Sequence, residues 1–211
     1  MLIQKLAAAA FLFVRIADAQ QPRDFTPYLI SDRAAEVALA RSAAPASVSD
    51  SATVLVLTRT GFVEASHGAN GFTCLVLRSF AGTIGDPDFW NPKIRAPHCL
   101  TPPAVRTILP GMLKRAEWIL AGMSLTDIQT RTGMAYASHE FTVPAAGAMA
   151  YMTSPQQYLQ DETPHNWMPH LMFYYDRSLP ASTWGAGGNS TTVIDATAGN
   201  AASPVQVLLI P

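Results

Sequence analysis

Three short runs between residues 53 and 78 constrain the fold more than any other part of the chain. Thr53 to Thr58 is rich in β-branched residues and leucine. Phe62 to His67 and Phe72 to Arg78 have the same character, which is that of β-strands. Arg59-Thr60-Gly61 separates the first two, and Gly68-Ala69-Asn70-Gly71 separates the last two. Asn-Gly supplies the positive φ angles of tight hairpin turns, so the spacing predicts a three-stranded antiparallel meander.

A second strand signal lies at Leu171–Tyr175, which is apolar or aromatic at every position. It is bounded by Pro169 and by Asp176-Arg177, and it reads as a strand buried on both faces. Alternation puts His170, Met172 and Tyr174 on one face and Leu171, Phe173 and Tyr175 on the other. His170 then stands at the mouth of the strand, level with its first buried layer.

The rest of the chain alternates helix and strand signals. Asp32 precedes an alanine-rich stretch to Ala40, whose small apolar side suits close packing on a sheet. Thr101-Pro102 opens a helix that Pro110 must break or kink. The next segment runs to Gly122, with Lys114, Arg115 and Glu117 expected on its wet side. Ser124-Leu125-Thr126-Asp127 opens another helix. Residues 148–152, 191–197 and 205–210 read as strands. Residues 79–101, with prolines at 87, 92 and 97, read as a long irregular loop. The fold class that follows is α+β: one domain with a mostly antiparallel sheet, a meander plus C-terminal strands, and helices packed on one face.

The chain has 211 residues, enough for one domain with a substantial core. Lys5, the apolar run Leu6–Val14 and Ala17-Asp18-Ala19 form a secretory signal pattern, so residues 1–19 read as a signal peptide and residues 20–211 as the domain. Removing that segment changes the formal charge from −1 to about −2. A near-neutral exported chain has no electrostatic footprint for nucleic acid, and no later segment is long and apolar enough to span a membrane. The expected location is therefore the periplasm or the medium, and the expected partner a small molecule or an envelope component. The two cysteines, Cys74 and Cys99, are expected to form a disulfide in an oxidising compartment, with a small buried thiol at Cys74 as the alternative. Closing that loop stabilises by roughly 3 kcal/mol on the chain-entropy model.

Candidate chemistry is sparse. His170, Trp167 and Tyr151 are the residues expected to line a ligand pocket. His165 and His170 are the candidate metal ligands, with Asp161, Glu162, His98 or His139 as supplements. Imidazole suits zinc and copper, and nearby Met168 and Met172 suit copper(I). No tight metal signature accompanies them. No G-x-S-x-G is present either, so a serine-type hydrolase rests only on the spatial freedom of a triad, and no catalytic residue is assigned. Asp86, Asp88 and Asn91 read as a rigid turn in preference to a calcium loop.

The runs Asn70-Gly71-Phe72-Thr73-Cys74, Pro97-His98-Cys99, Ala150-Tyr151-Met152 and Trp167-Met168-Pro169-His170-Leu171-Met172 resemble a group of uncharacterised exported bacterial proteins. The likeness covers most of the mature chain in the same order. It implies export and a single-domain architecture, and that the sequence continues past Pro211. The group has no assigned activity, so the resemblance carries no mechanism to any residue.

Overall fold

The structure, a computed structural model, describes residues 23–165, 168–186, 192–196 and 203–211. The expected signal peptide, Trp167 and most of the glycine-rich loop after Gly185 lie outside the described residues. The domain is built on an eight-stranded sheet in the order β2-β1-β3-β4-β5-β6-β8-β7. The strands are β1 (Thr53–Leu57), β2 (Phe62–Ser66), β3 (Thr73–Leu77), β4 (Ala96–Leu100), β5 (Met149–Met152), β6 (His170–Asp176), β7 (Ile194–Asp195) and β8 (Val205–Ile210). The helices are α1 (Arg33–Arg41), α2 (Ala46–Ser49), α3 (Pro102–Thr107), α4 (Leu109–Leu120) and α5 (Leu125–Ala137). The α+β class and the mostly antiparallel sheet are as expected. Two details differ.

First, the opening strands do not form a meander. β1 and β2 make the expected antiparallel hairpin, but β3 pairs with β1, in parallel, with Thr53 opposite Thr73 and Leu55 opposite Leu75. The chain leaves β2 and crosses over the start of β1 to reach its far side. Ala69 N–H donates to Ser51 O at 2.8 Å, and Thr53 N–H donates to Phe72 O at 2.9 Å. The crossing is so close that a Cβ on Gly68 would lie 2.2 Å from Ala52 C and Thr53 N. Asn70-Gly71 still turns the chain, with Gly71 at φ 76°, but it makes a corner and no hairpin. Burial explains the choice: every β3 residue is buried, whereas β2 carries two exposed positions. An all-apolar strand gains most between two neighbours, and a mixed one tolerates an edge.

Second, helices cover both faces. Along β3, Cys74 and Val76 pack with Ala40, Ala43 and Ala44 around α1, while Leu75 and Leu77 pack with Ala104, Ile108 and Leu109 of α3 and α4. Alternation along one strand thus feeds two cores. Asp32 caps α1, its Oδ1 accepting from Ala34 N–H at 2.8 Å and Ala35 N–H at 3.1 Å.

β4 is a strand inside the stretch read as a loop. Its Pro97 stands opposite Val76 of β3. The neighbouring odd-numbered Arg95 turns its backbone to the other side, where it exchanges two hydrogen bonds with Tyr158. On that side β5 pairs only with Cys99 and Leu100. Pro97 falls in the gap, so its missing N–H leaves no ladder bond unmade. Cys74 and Cys99 are register partners on β3 and β4, and they form the disulfide, at a sequence separation of 25. Its sulfur atoms sit in the core under α1.

A buried ion pair ties these parts together. Arg78 Nη2 donates to Glu36 Oε1 at 2.7 Å, with both side chains essentially without exposure. The same carboxylate oxygen accepts from Leu57 N–H at 3.1 Å, and Arg78 also donates to Tyr28 O at 2.7 Å and to Val76 O. Burial pulls the Arg78 pKa down and Glu36 opposes that pull. Removing only the acid strands a guanidinium in the core, which costs about 3–5 kcal/mol. Glu36→Leu is therefore expected to lower the urea unfolding free energy by that amount. The double variant Glu36→Leu/Arg78→Met is expected to lose much less, and equal losses would count against the pairing.

Candidate functional site

β4, β5, β6 and β8 turn one set of alternate residues toward α4 and α5. From β4 these are Ala96, His98 and Leu100, from β5 Ala150 and Met152, and from β6 His170, Met172 and Tyr174. Register fixes the row: His98 lies opposite Leu75, Met152 opposite His170, and Tyr174 opposite Val207. Sheet and helices do not close fully over this face. They leave a cavity of about 390 Å3. Leu77, Ala96, Met152, Met172 and Val207 form its floor, and Ile108 at the α3–α4 junction, Met112 and Arg115 of α4, and Thr132 and Tyr136 of α5 form its roof. That size falls within the range of small-molecule pockets, at roughly 300–1,000 Å3.

Polar side chains make the smaller part of this wall: Arg78, His98, Arg115, Tyr136 and Tyr174, with the hydroxyls of Ser79, Thr83, Thr132 and Ser203. His98 is buried, and its Nδ1 is 2.9 Å from Ala96 O. A carbonyl only accepts, so Nδ1 carries the proton and Nε2 holds the lone pair. Burial pushes the His98 pKa down to about 4, with the charge of nearby His170 adding to the effect. Tyr174 is buried, and burial alone pushes its hydroxyl pKa up. Among the described residues its hydroxyl donates only to Met172 Sδ, at 4.0 Å, and a thioether is a weak acceptor. Arg115 is half-buried and donates to Gly82 O at 3.3 Å. Burial pulls its pKa down, with the Tyr136 hydroxyl opposing. Among the described residues, no carboxylate pairs with Arg115, whereas its neighbour Lys114 pairs with Glu117 at 3.0 Å. Helical periodicity had put Arg115 on the wet side of α4. The structure instead aims it at the cavity and leaves Lys114 and Glu117 in solvent.

The residues singled out from sequence do not all converge. His170 opens β6 as expected and is buried, with Nδ1 2.8 Å from Met168 O. Burial lowers its pKa. It shares the cavity-side face but stands beside the cavity and does not line it. Tyr151 is one residue out of phase: it pairs opposite Leu171 and packs with Cys99 on the α1 side. It cannot join His170 in one pocket. His165 is exposed and stacks on Tyr158, with ring centroids 4.7 Å apart. Asp161 is taken up by Tyr158 and Lys93, at 2.7 and 3.1 Å. Among the described residues, no three His, Cys, Asp or Glu side chains gather as a metal site. Asp86, Asp88 and Asn91 each spend an oxygen on the turn they form. Ser66 accepts from Arg41 at 3.4 Å, and exposed His67 pairs with Glu64 at 3.2 Å, so those two neighbours start no triad.

Comparison with protein-family models, curated proteins and solved structures finds no match to this chain.

The His98 environment has a measurable pH signature. Its folded pKa, about 4, lies below the ordinary value of 6.5. Above pH 6.5 the ring is neutral folded or unfolded and contributes no pH dependence. Between 6.5 and 4 the unfolded chain binds the proton first, so stability falls as pH falls. The full span is worth about 3 kcal/mol for this fully buried ring. His98→Leu is expected to flatten this part of the stability–pH curve measured by urea denaturation. An unchanged slope would place the titration elsewhere.

Proposed function

We propose that this is an exported binding protein, not a catalyst, which holds a small, largely apolar molecule between the sheet and helices α4 and α5. The observation that carries this reading is the cavity of about 390 Å3, walled mainly by apolar side chains with polar groups among them. Protein interiors seldom leave voids much larger than a water molecule. A space of this size, with isolated donors in its wall, is what a bound molecule would fill. Export is supported by the N-terminal sequence pattern and by the Cys74–Cys99 disulfide. Among the described residues, no helix is long and apolar enough to cross a membrane.

Coordination of zinc or copper at His165 and His170 has thinner support, because one ring is exposed on Tyr158 and the other is buried at the sheet. Its test is metal analysis of the purified protein and of His170→Ala.

The pocket reading is tested with a neutral fluorescent probe, N-phenyl-1-naphthylamine. Wild-type protein is expected to bind it at one site with a blue shift. Met172→Trp narrows the cavity and is expected to weaken binding. Its circular dichroism should stay native. Absence of binding to the wild type, or equal binding to the variant, would overturn the reading.

A further inference from the structure

The walls of the cavity carry an unbalanced charge. Among the described residues no Asp or Glu lines it, and two arginines do, Arg78 and Arg115. The charge of Arg78 is met by Glu36 at 2.7 Å. His98 is a neutral donor–acceptor ring held by Ala96 O. That leaves Arg115, a guanidinium half-withdrawn from water, bonded to one backbone carbonyl and to no carboxylate among the described residues. A desolvated cation without a counter-charge is costly, and that cost is relieved when an anion binds beside it. A second donor points the same way. The Tyr174 hydroxyl is buried in the same wall and, among the described residues, has only a thioether 4.0 Å away to receive its proton. Such a hydroxyl is satisfied by an incoming oxygen acceptor.

Most of the remaining lining is aliphatic or thioether, including Leu77, Ile94, Ile108, Met112, Met152 and Val205, with hydroxyls from Ser79, Thr83, Thr132, Tyr136 and Ser203 among it. One charge and much apolar surface together define an amphiphile. Building on the pocket reading above, we propose that the ligand is an apolar monocarboxylate whose head group meets Arg115 and whose chain or ring lies along the methionines and aliphatic residues. Size follows by comparison. An apolar cavity of about 150 Å3 takes one benzene, so a cavity of about 390 Å3 takes a molecule on the order of 15 heavy atoms, such as a medium-chain fatty acid or an aryl-alkanoate. Guanidinium suits a carboxylate because its fork can give two parallel hydrogen bonds.

Calorimetric titration of the purified protein at neutral pH separates the possibilities. Three probes share one tail and differ in the head: decanoate, decanol and decyltrimethylammonium, each below its micelle-forming concentration. Decanoate is expected to bind at least about ten-fold more tightly than decanol, a difference of about 1.4 kcal/mol. The cationic probe is expected to bind most weakly. Arg115→Gln should remove the advantage of decanoate and leave decanol unchanged, and Arg115→Lys should restore part of it. Equal binding of decanoate and decanol to the wild type, or an advantage that survives Arg115→Gln, overturns the carboxylate assignment while the pocket stands. No binding of any of the three overturns the pocket itself, and the carboxylate assignment with it.

Discussion

The contact between Glu36 and Arg78 is the constraint on which most of the architecture depends. A carboxylate and a guanidinium lie together in the core, and neither can be there alone. Meeting their hydrogen bonds fixes four pieces of chain at once. Glu36 brings α1 over the end of β1, where it accepts from Leu57 N–H. Arg78 closes β3 and reaches Tyr28 O in the N-terminal segment. An apolar pair of similar volume would pack as well but would not specify which helix meets which strand. The alanines of α1 then let it lie close on the disulfide side of the sheet. The other side is left to α3 and α4, whose larger side chains fill less regularly.

Much of this was legible in the sequence because the signals were local. The Asp32 cap, the break at Pro110 and the Ser124 cap each follow from one or two residues, and each marks a real boundary. The face alternation of β6 also held: Met172 and Tyr174 join one core, Phe173 and Tyr175 another. What failed was non-local. Asn70-Gly71 has the letters of a hairpin turn, but which strand β3 joins was decided by how much of it had to be buried. β4 escaped notice because Pro97 argues against a central strand, and only the shortness of β5 makes it harmless.

The candidate site was legible only at its border. His170 lies on the strand and the face that border the cavity, yet the space lies toward His98, Met172 and Tyr174. Those residues come from strands separated by long stretches of chain, and no spacing in the sequence connects them. Arg115 was the harder omission. On a helical wheel it sits beside Lys114 and Glu117 and shares their polarity. Its distinction is that, among the described residues, it has no acid to pair with and turns toward the cavity. The closest signal in the sequence is the surplus of one basic residue on that short segment, which is too weak to be read without the fold.

The disulfide sits on the far side of the sheet from the cavity, and it joins the two strands that carry Leu77, Ala96 and His98. One boundary of the empty space is thus stapled covalently, while the opposing boundary is held by side-chain contacts alone. Neither cysteine lines the cavity, so the crosslink braces this wall from behind. Forming that crosslink fixes the spacing of the two strands, and with it the width of the wall they carry.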